Sequence, residues 1–194
     1  MKKIILATTS PYRRIAFRSL GVDFQAEGSN VGESKIERDD PEELVRVLSK
    51  MKAMAVAENN RDSIVIGMDS IGFFNGQILE KPKSREEAFQ RLKSLSGNNY
   101  QFCTGIFMID TASKREISRV VKTKVFVREL SEAEINKYLN EDSCFNTHAL
   151  GYNPLEYFSS TFNERIEGSY NNAIRGIPLE EVVKMLHEIG YIFD

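Results

Sequence analysis

Residues 1–14 read Met-Lys-Lys-Ile-Ile-Leu-Ala-Thr-Thr-Ser-Pro-Tyr-Arg-Arg, and this stretch decides the fold class. The apolar run at 4–7 predicts a buried strand. Three hydroxyl residues at 8–10 and Pro11 follow it, which is typical of a turn into a helix. We expect the inner face of that helix to carry Ile15, Phe17 and Leu20. The order of strand, polar turn and helix predicts an α/β protein.

The turn after this strand has the chemistry of a phosphate site. A helix N-terminus offers free N–H groups and the positive end of the helix dipole, and Thr8 and Ser10 add hydroxyl donors. Arg13 or Arg14 can bond phosphate oxygens through two parallel N–H groups. An ordinary βα unit with solvated arginines explains the same stretch equally well, so both interpretations stay open at this point.

The composition is that of a globular protein with one sizeable core. The 194 residues are 41% hydrophobic and 28% charged, and the net charge of −2 provides no overall field for nucleic acid or acidic membranes. No apolar run is long enough for a signal peptide or a membrane span. Cys103 and Cys144 lack metal-ligand spacing, and we expect reduced, half-buried thiols. We expect a single cytoplasmic domain over residues 1–194, without nucleic-acid or membrane partners.

Capping signals predict three further helices, since Asp40, Ser84 and Ser131 each stand three residues before a glutamate. A last helix is predicted after Pro178 and ends near Gly190. Its expected inner face consists of Val182, Val183, Leu186 and Ile189.

Strands are predicted between these helices. The apolar run 63–68 suits the centre of a sheet, and Asn75-Gly76 predicts a hairpin between 71–74 and 77–79. Residues 100–110 and 115–127 favour two long strands joined by a turn. Hairpins among interleaved helices and strands predict a mixed sheet, in an α/β domain with two lobes around a cleft.

Asp69 directly follows the predicted strand 63–68, where α/β proteins place their ligands. Gly67 before it would let a substrate or a backbone approach closely. Lys81 follows the hairpin, which folds its ends together, so we expect Lys81 near Asp69. Two interpretations of this pair stay open. It is a surface ion pair that contributes little to stability, or it is a general base beside a cation that binds phosphate.

Two other charged residues are candidates with equally plain alternatives. Lys52 lies on the helix after Asp40, and Glu33 lies in a loop; both residue types in such places are commonly solvated. Glu33 and Asp69 are nevertheless the kind of oxygen ligands that Mg²⁺ or Mn²⁺ prefers when it bridges to phosphates.

Taken in order, these segments resemble the Maf nucleotide pyrophosphatases over essentially the whole chain. The matching segments are Leu6 to Arg14, Glu33, Lys52-Ala53, Gly67 to Asp69, Lys81-Pro82, Ser96-Gly97, Thr104-Gly105 and Gly176 to Leu179. The resemblance implies a mixed, strongly twisted sheet flanked by helices, with two lobes around a deep cleft, as in Maf and inosine triphosphatase proteins. It also implies a homodimer and an association with septum formation.

The implied reaction is hydrolysis of a nucleoside triphosphate to the monophosphate and pyrophosphate with a divalent metal, Mg²⁺ or Mn²⁺. By this resemblance Asp69 is the proton acceptor that activates water, and Glu33 helps to seat the metal beside it. The expected catalytic residues are Asp69, Lys81, Lys52 and Glu33, and the expected substrate-binding residues are Thr8, Ser10, Arg13 and Arg14. Metal binding is expected of Glu33 and Asp69.

Three positions bear on the nucleobase, namely Tyr12, Ser70 and Glu156. The dTTP/UTP branch usually has arginine, threonine and glutamine there, whereas an aromatic residue and a glutamate resemble the 7-methyl-GTP branch. A methylated guanine is cationic, so an aromatic ring can stack on it and a carboxylate can accept its N–H groups. Pro154 departs from both branches. Two alternatives remain: a dTTP/UTP pyrophosphatase, and a nucleotide-binding regulator of cell division with little turnover.

Overall fold

The computed structural model describes residues 2–32 and 39–193. The strands are β1 (Lys3–Ala7), β2 (Phe24–Glu27), β3 (Ser63–Phe74), β4 (Gln77–Leu79), β5 (Asn99–Asp110), β6 (Glu116–Val127) and β7 (Asn163–Glu167). The helices are α1 (Pro11–Arg18), α2 (Pro41–Ala57), α3 (Arg85–Leu95), α4 (Glu132–Glu141), α5 (Tyr170–Arg175) and α6 (Leu179–Glu188). Two short 3₁₀ turns lie at Phe145–Thr147 and Phe158–Thr161.

The strands form one mixed sheet, in the order β2-β1-β3-β5-β6-β7, with β4 paired to β3. β1 is parallel to both of its neighbours, and its Leu6 lies opposite Ala26 and Ile66. β4 and β7 are antiparallel to β3 and β6. The predicted mixed α/β class is therefore confirmed, as is the buried strand at 4–7, which lies between two parallel partners.

The chain forms two compact units. The first unit consists of Met1–Ser70, Cys103–Val121 and Arg175–Asp194, and the second of Ile71–Phe102 and Lys122–Ile174. In the first unit, alternate residues of β1 serve two cores, because successive strand side chains point to opposite faces. Ile4 and Leu6 pack with α1 and α6, whereas Ile5 and Ala7 pack with α2. The core of the second unit contains Tyr100, Tyr138, Tyr152 and Phe162. The cleft between lobes stays a prediction.

The hairpin and the helix caps follow the sequence signals closely. Asn75 and Gly76 have φ angles of 49° and 77°, the left-handed values that a tight hairpin turn requires. Ser131 forms a full capping box with Glu134. At α3, Ser84 caps the helix, but the Glu87 carboxylate accepts from the N–H of Lys83 instead of closing the box.

Several details differ from expectation. The sequence predicts Ile15 on the inner face of α1, and this is wrong: Ile15 is 60% exposed, and Ala16 and Phe17 are buried instead. Phe17 lies on the face of α1 that packs against the core. Because residues two positions apart point to opposite sides of a helix, Ile15 faces away from the core. Val183 of α6 is likewise only partly buried. Neither cysteine is half-buried: Cys103 is fully buried and Cys144 is exposed, and both are free thiols.

β3 is longer than the predicted strand, and Asp69 lies inside it rather than after it. The strand continues to Phe74 because its second half pairs with β4. Its pairing with β1 ends at Gly67, two residues before Asp69. The prediction that Asp69 directly follows the strand is therefore wrong, although the pairing of β3 with β1 ends two residues before it. Among the described helices, none has the length and apolar composition needed to cross a bilayer.

Candidate active site

The turn between β1 and α1 is held by the two hydroxyl residues that the sequence singled out. Ser10 is the N-cap of α1, and its Oγ accepts from the backbone N–H of Arg13 at 3.4 Å. Thr8 Oγ1 accepts from the backbone N–H of Ser10 at 3.1 Å. The first turn of α1 holds no acidic residue. The positive end of the α1 dipole is therefore not neutralised by its own helix, which favours an anion at this end.

Asp69 and Lys52 are in direct contact in the first unit. The Lys52 Nζ donates to Asp69 Oδ1 at 2.5 Å, and the two side chains are only 17% and 13% exposed. The ion pair is therefore largely shielded from water, unlike the solvated surface pairs elsewhere on the chain. The hypothesis of a solvated helix lysine at position 52 is wrong, and Lys52 lies against Asp69, another predicted catalytic residue.

Gly67 explains why Lys52 reaches Asp69. A Cβ atom at position 67 would lie 2.2 Å from the backbone oxygen of Ser49 and 2.6 Å from the backbone nitrogen of Ala53. The backbone of α2 therefore lies directly on β3, at the turn of α2 that carries Lys52. Gly105 of β5 makes the same kind of contact, with a Cβ position 2.1 Å from the Val45 oxygen. The sequence predicted a close approach at Gly67, and the group that approaches is the backbone of α2.

Arg13 is hydrogen-bonded to β3 on both sides of Asp69. Its Nη1 donates to the Met68 carbonyl oxygen at 2.9 Å, and its Nη2 donates to Ser70 Oγ at 2.6 Å. Its Nε donates to the Gly176 carbonyl oxygen, also at 2.9 Å. Burial lowers the pKa of the Arg13 guanidinium, and the negative charge of Asp69 partly offsets this effect. Three of the five N–H groups of Arg13 are thus bonded within the protein.

Ser70 links this arginine to β5. Its Oγ lies 2.7 Å from the Oγ1 of Thr104, which is fully buried. Gly176 adopts a φ of 63°, a left-handed value that glycine adopts without strain, and this turns its carbonyl oxygen toward Arg13. Thr104 and Gly176 were quoted from the sequence only as matching motif segments. Their spacing along the chain carried no signal that they meet Arg13.

The remaining predicted residues of the first unit lie around the start of α1 or outside the described part. Tyr12 is partly buried in the first turn of α1, and Arg14 is exposed. Glu33 lies outside the described residues, so its predicted roles in catalysis and metal binding stay predictions.

Lys81 and Glu156 belong to the second unit. Lys81 is exposed and follows β4, and its predicted proximity to Asp69 stays a prediction. Burial lowers the pKa of His148; the charge of Lys81 adds to this, and those of Asp142 and Glu156 oppose it. The Glu156 carboxylate accepts from Asn153 Nδ2 at 3.1 Å. Lys81 and Glu156 therefore both lie within electrostatic reach of His148.

The donor set around Asp69 fits a hard divalent cation only in part. Within residues 2–32 and 39–193 there is no group of three or more His, Cys, Asp or Glu side chains that could hold a metal. Mg²⁺ commonly uses one or two carboxylates and completes its shell with water and substrate phosphates. In the described part of the chain Asp69, whose side chain is 13% exposed, supplies one carboxylate of that kind.

Comparison with known proteins finds one family that matches most of the chain. The model of the family described as Maf-like protein matches residues 3–189. The chain belongs to the Maf family. A "dTTP/UTP pyrophosphatase" of Pelotomaculum thermopropionicum is 36% identical over 191 residues, covering 98% of each chain. A "Nucleoside triphosphate pyrophosphatase" of Synechococcus sp. is 36% identical over 189 residues, covering 97% of this chain and 94% of its own.

Solved structures resemble the fold of this Maf protein as well. The Staphylococcus aureus Ham1 protein superposes with a TM-score of 0.55 at 16% identity, over 97% of this chain and 100% of its own. A HAM1 protein from Coxiella burnetii gives the same TM-score at 17% identity. At such identities the likeness supports the fold alone.

Proposed function

We propose that this Maf protein hydrolyses a nucleoside triphosphate to the monophosphate and pyrophosphate as part of nucleotide-pool housekeeping. The observation that carries the proposal is the shielded Lys52–Asp69 pair, two residues past the parallel β1–β3 pairing. The predicted enzyme class, a hydrolase acting on acid anhydrides, is confirmed by the pyrophosphatase names of the relatives. A cytoplasmic location, a homodimer and a single domain over 1–194 remain part of the proposal.

In this reaction Asp69 acts as the general base. The carboxylate takes a proton from water as the water oxygen attacks the α-phosphorus, and the bond from that phosphorus to the bridging oxygen breaks to release pyrophosphate. Lys52 fixes the carboxylate through Oδ1 and places a positive charge beside the developing phosphate charge. Positioning and charge neutralisation supply most of the acceleration in phosphoryl transfer.

The start of α1 provides the phosphate cradle in this proposal. The positive end of the α1 dipole, the Thr8 and Ser10 hydroxyls and the exposed Arg14 side chain bind the triphosphate oxygens, and Lys81 adds a further cation. A divalent cation, Mg²⁺ or Mn²⁺, would be held by Asp69 and Glu33 together with phosphate oxygens. It would neutralise charge on the triphosphate.

For the nucleobase we propose 7-methyl-GTP as the preferred substrate. Tyr12 supplies an aromatic face for a cationic base, and Glu156 supplies a carboxylate that Asn153 holds in place. Ser70 is bonded to Arg13 and Thr104, so its part in specificity is indirect. The names of the relatives favour dTTP or UTP as the alternative.

One assay tests both levels of the proposal. The protein is incubated with 7-methyl-GTP, GTP, UTP and dTTP in the presence of Mg²⁺ or Mn²⁺, and pyrophosphate and orthophosphate are measured separately. We expect pyrophosphate, and Asp69→Asn should lower kcat by about 10²–10⁴-fold. Full activity of Asp69→Asn would contradict the mechanism.

The ranking of the four nucleotides tests the base assignment. A stacked ring and a paired carboxylate together give about 10–10³-fold discrimination in kcat/KM. Glu156→Gln should weaken the preference for 7-methyl-GTP. A preference of the unmodified protein for dTTP or UTP, or a ranking that Glu156→Gln leaves unchanged, would overturn the assignment.

A further inference from the structure

A hydrogen-bond network holds the two residues on either side of Asp69. It joins Arg13 of α1, Ser70 of β3, Thr104 of β5 and the carbonyl oxygen of Gly176, which lie far apart in sequence. We propose that Arg13, Ser70 and Thr104 form a positioning relay that holds the Asp69 carboxylate in its reactive orientation, an inference that rests on the proposed function.

The geometry of Arg13 supports positioning over phosphate binding. Its two terminal nitrogens are bonded to Met68 and Ser70, the residues on either side of Asp69, at 2.9 and 2.6 Å. A rigid guanidinium with two anchors on one strand fixes the backbone between them. Nε donates to the Gly176 carbonyl oxygen at 2.9 Å. All three nitrogens of the planar guanidinium group are therefore bonded to acceptors within the protein.

Thr104 is the member of the relay that is most remote from solvent. Its side chain is fully buried, and its hydroxyl lies 2.7 Å from Ser70 Oγ. Ser70 also lies 3.4 Å from the Gly176 oxygen, so its hydroxyl accepts from Arg13 and has the Gly176 oxygen and the Thr104 hydroxyl as further partners. Loss of the Thr104 hydroxyl removes one of these partners while leaving the Arg13 contacts in place. Because it is remote from the surface, Thr104 can affect turnover only through its neighbours.

The expected result is a loss of turnover without a loss of binding. Thr104→Val should lower kcat about 2–13-fold, the range for one buried neutral hydrogen bond that acts in the transition state. Thr104→Ser keeps the hydroxyl and should restore kcat to within about two-fold of the unmodified protein. Arg13→Lys keeps the charge but loses the fork, and should lower kcat about 10–10²-fold.

Binding is measured separately with a non-hydrolysable α,β-methylene nucleotide and Mg²⁺. A positioning role predicts that Kd changes less than about three-fold in Thr104→Val and Arg13→Lys. Lower fold stability alone would leave kcat unchanged in the folded fraction.

The outcomes separate the relay from the function on which it rests. An Arg13→Lys protein whose Kd rises more than ten-fold while kcat holds would make Arg13 a phosphate ligand and overturn the relay. A Thr104→Val protein with the unmodified kcat would overturn it while leaving the pyrophosphatase intact. If the unmodified protein releases no pyrophosphate from any nucleotide, the proposed function fails and the relay fails with it.

Discussion

Replacing Gly67 with alanine tests whether close helix–strand packing places Lys52 against Asp69. The new Cβ would lie 2.2 Å from the Ser49 oxygen and 2.8 Å from the Ala53 Cβ, whereas an ordinary contact begins near 3.4 Å. Both neighbours belong to α2, so the helix must retreat from β3 by about 1 Å. Forcing a methyl group into a well-packed core typically costs about 1–3 kcal/mol, and a clash with backbone lies at the upper end of that range.

A cost of about 3 kcal/mol should lower the Tm of a domain of this size by about 6–12 °C. A displacement of about 1 Å also lengthens the Lys52–Asp69 contact, and misplacements of that size can cost up to about 10²-fold in rate. The assay is thermal unfolding followed by circular dichroism, together with kcat on the best nucleotide at a temperature where the variant is folded.

Gly72→Ala on the same strand is the matched control. Its Cβ would meet Leu150 Cδ2 at 2.8 Å and Leu79 Cδ1 at 3.1 Å. These are side-chain ends, which can shift where a helix backbone cannot, and neither glycine has a left-handed φ. We therefore expect a smaller loss of stability from Gly72→Ala. A Gly67→Ala protein as stable and as active as Gly72→Ala would refute the packing argument.

Two further predictions concern stability. Burial alone would raise the pKa of Asp110, but hydrogen bonds from Lys2, Ser113 and the backbone N–H groups of Ala112 and Ser113 outweigh it and lower the pKa to about 2. The charged Asp110 therefore stabilises the fold by about 1–2 kcal/mol above about pH 4, and this stabilisation is lost as the pH falls toward 2. The unfolding midpoints of Asp110→Asn and of the unmodified protein should converge over that pH window. Midpoints that stay a constant distance apart would contradict this prediction. Ser131→Ala removes the α4 capping box and should cost about 1 kcal/mol, or about 2–4 °C in Tm, and an unchanged Tm would refute the role of the cap.

Much of the local structure was determined by the sequence itself. The buried strand at 4–7, the hairpin at Asn75-Gly76 and the cap at Ser131 depend on side chains within a few residues of one another. Their physical causes are burial of an apolar run, left-handed φ angles and a reciprocal pair of hydrogen bonds. The sequence also singled out Asp69, from its place after an apolar run, and named Lys52, on the helix predicted after Asp40, as a candidate.

The tertiary structure alone decided how those residues are used. Lys52 lies against Asp69 because Gly67 and Gly105 let α2 lie on the sheet, a contact that no spacing along the chain reports. Arg13 was expected to bind phosphate, yet its guanidinium is bonded to acceptors at Met68, Ser70 and Gly176. Hydrogen-bonding partners brought together from distant segments depend on packing of the whole unit. The sequence therefore shows which side chains can donate or accept hydrogen bonds, whereas the tertiary structure determines which atoms they are bonded to.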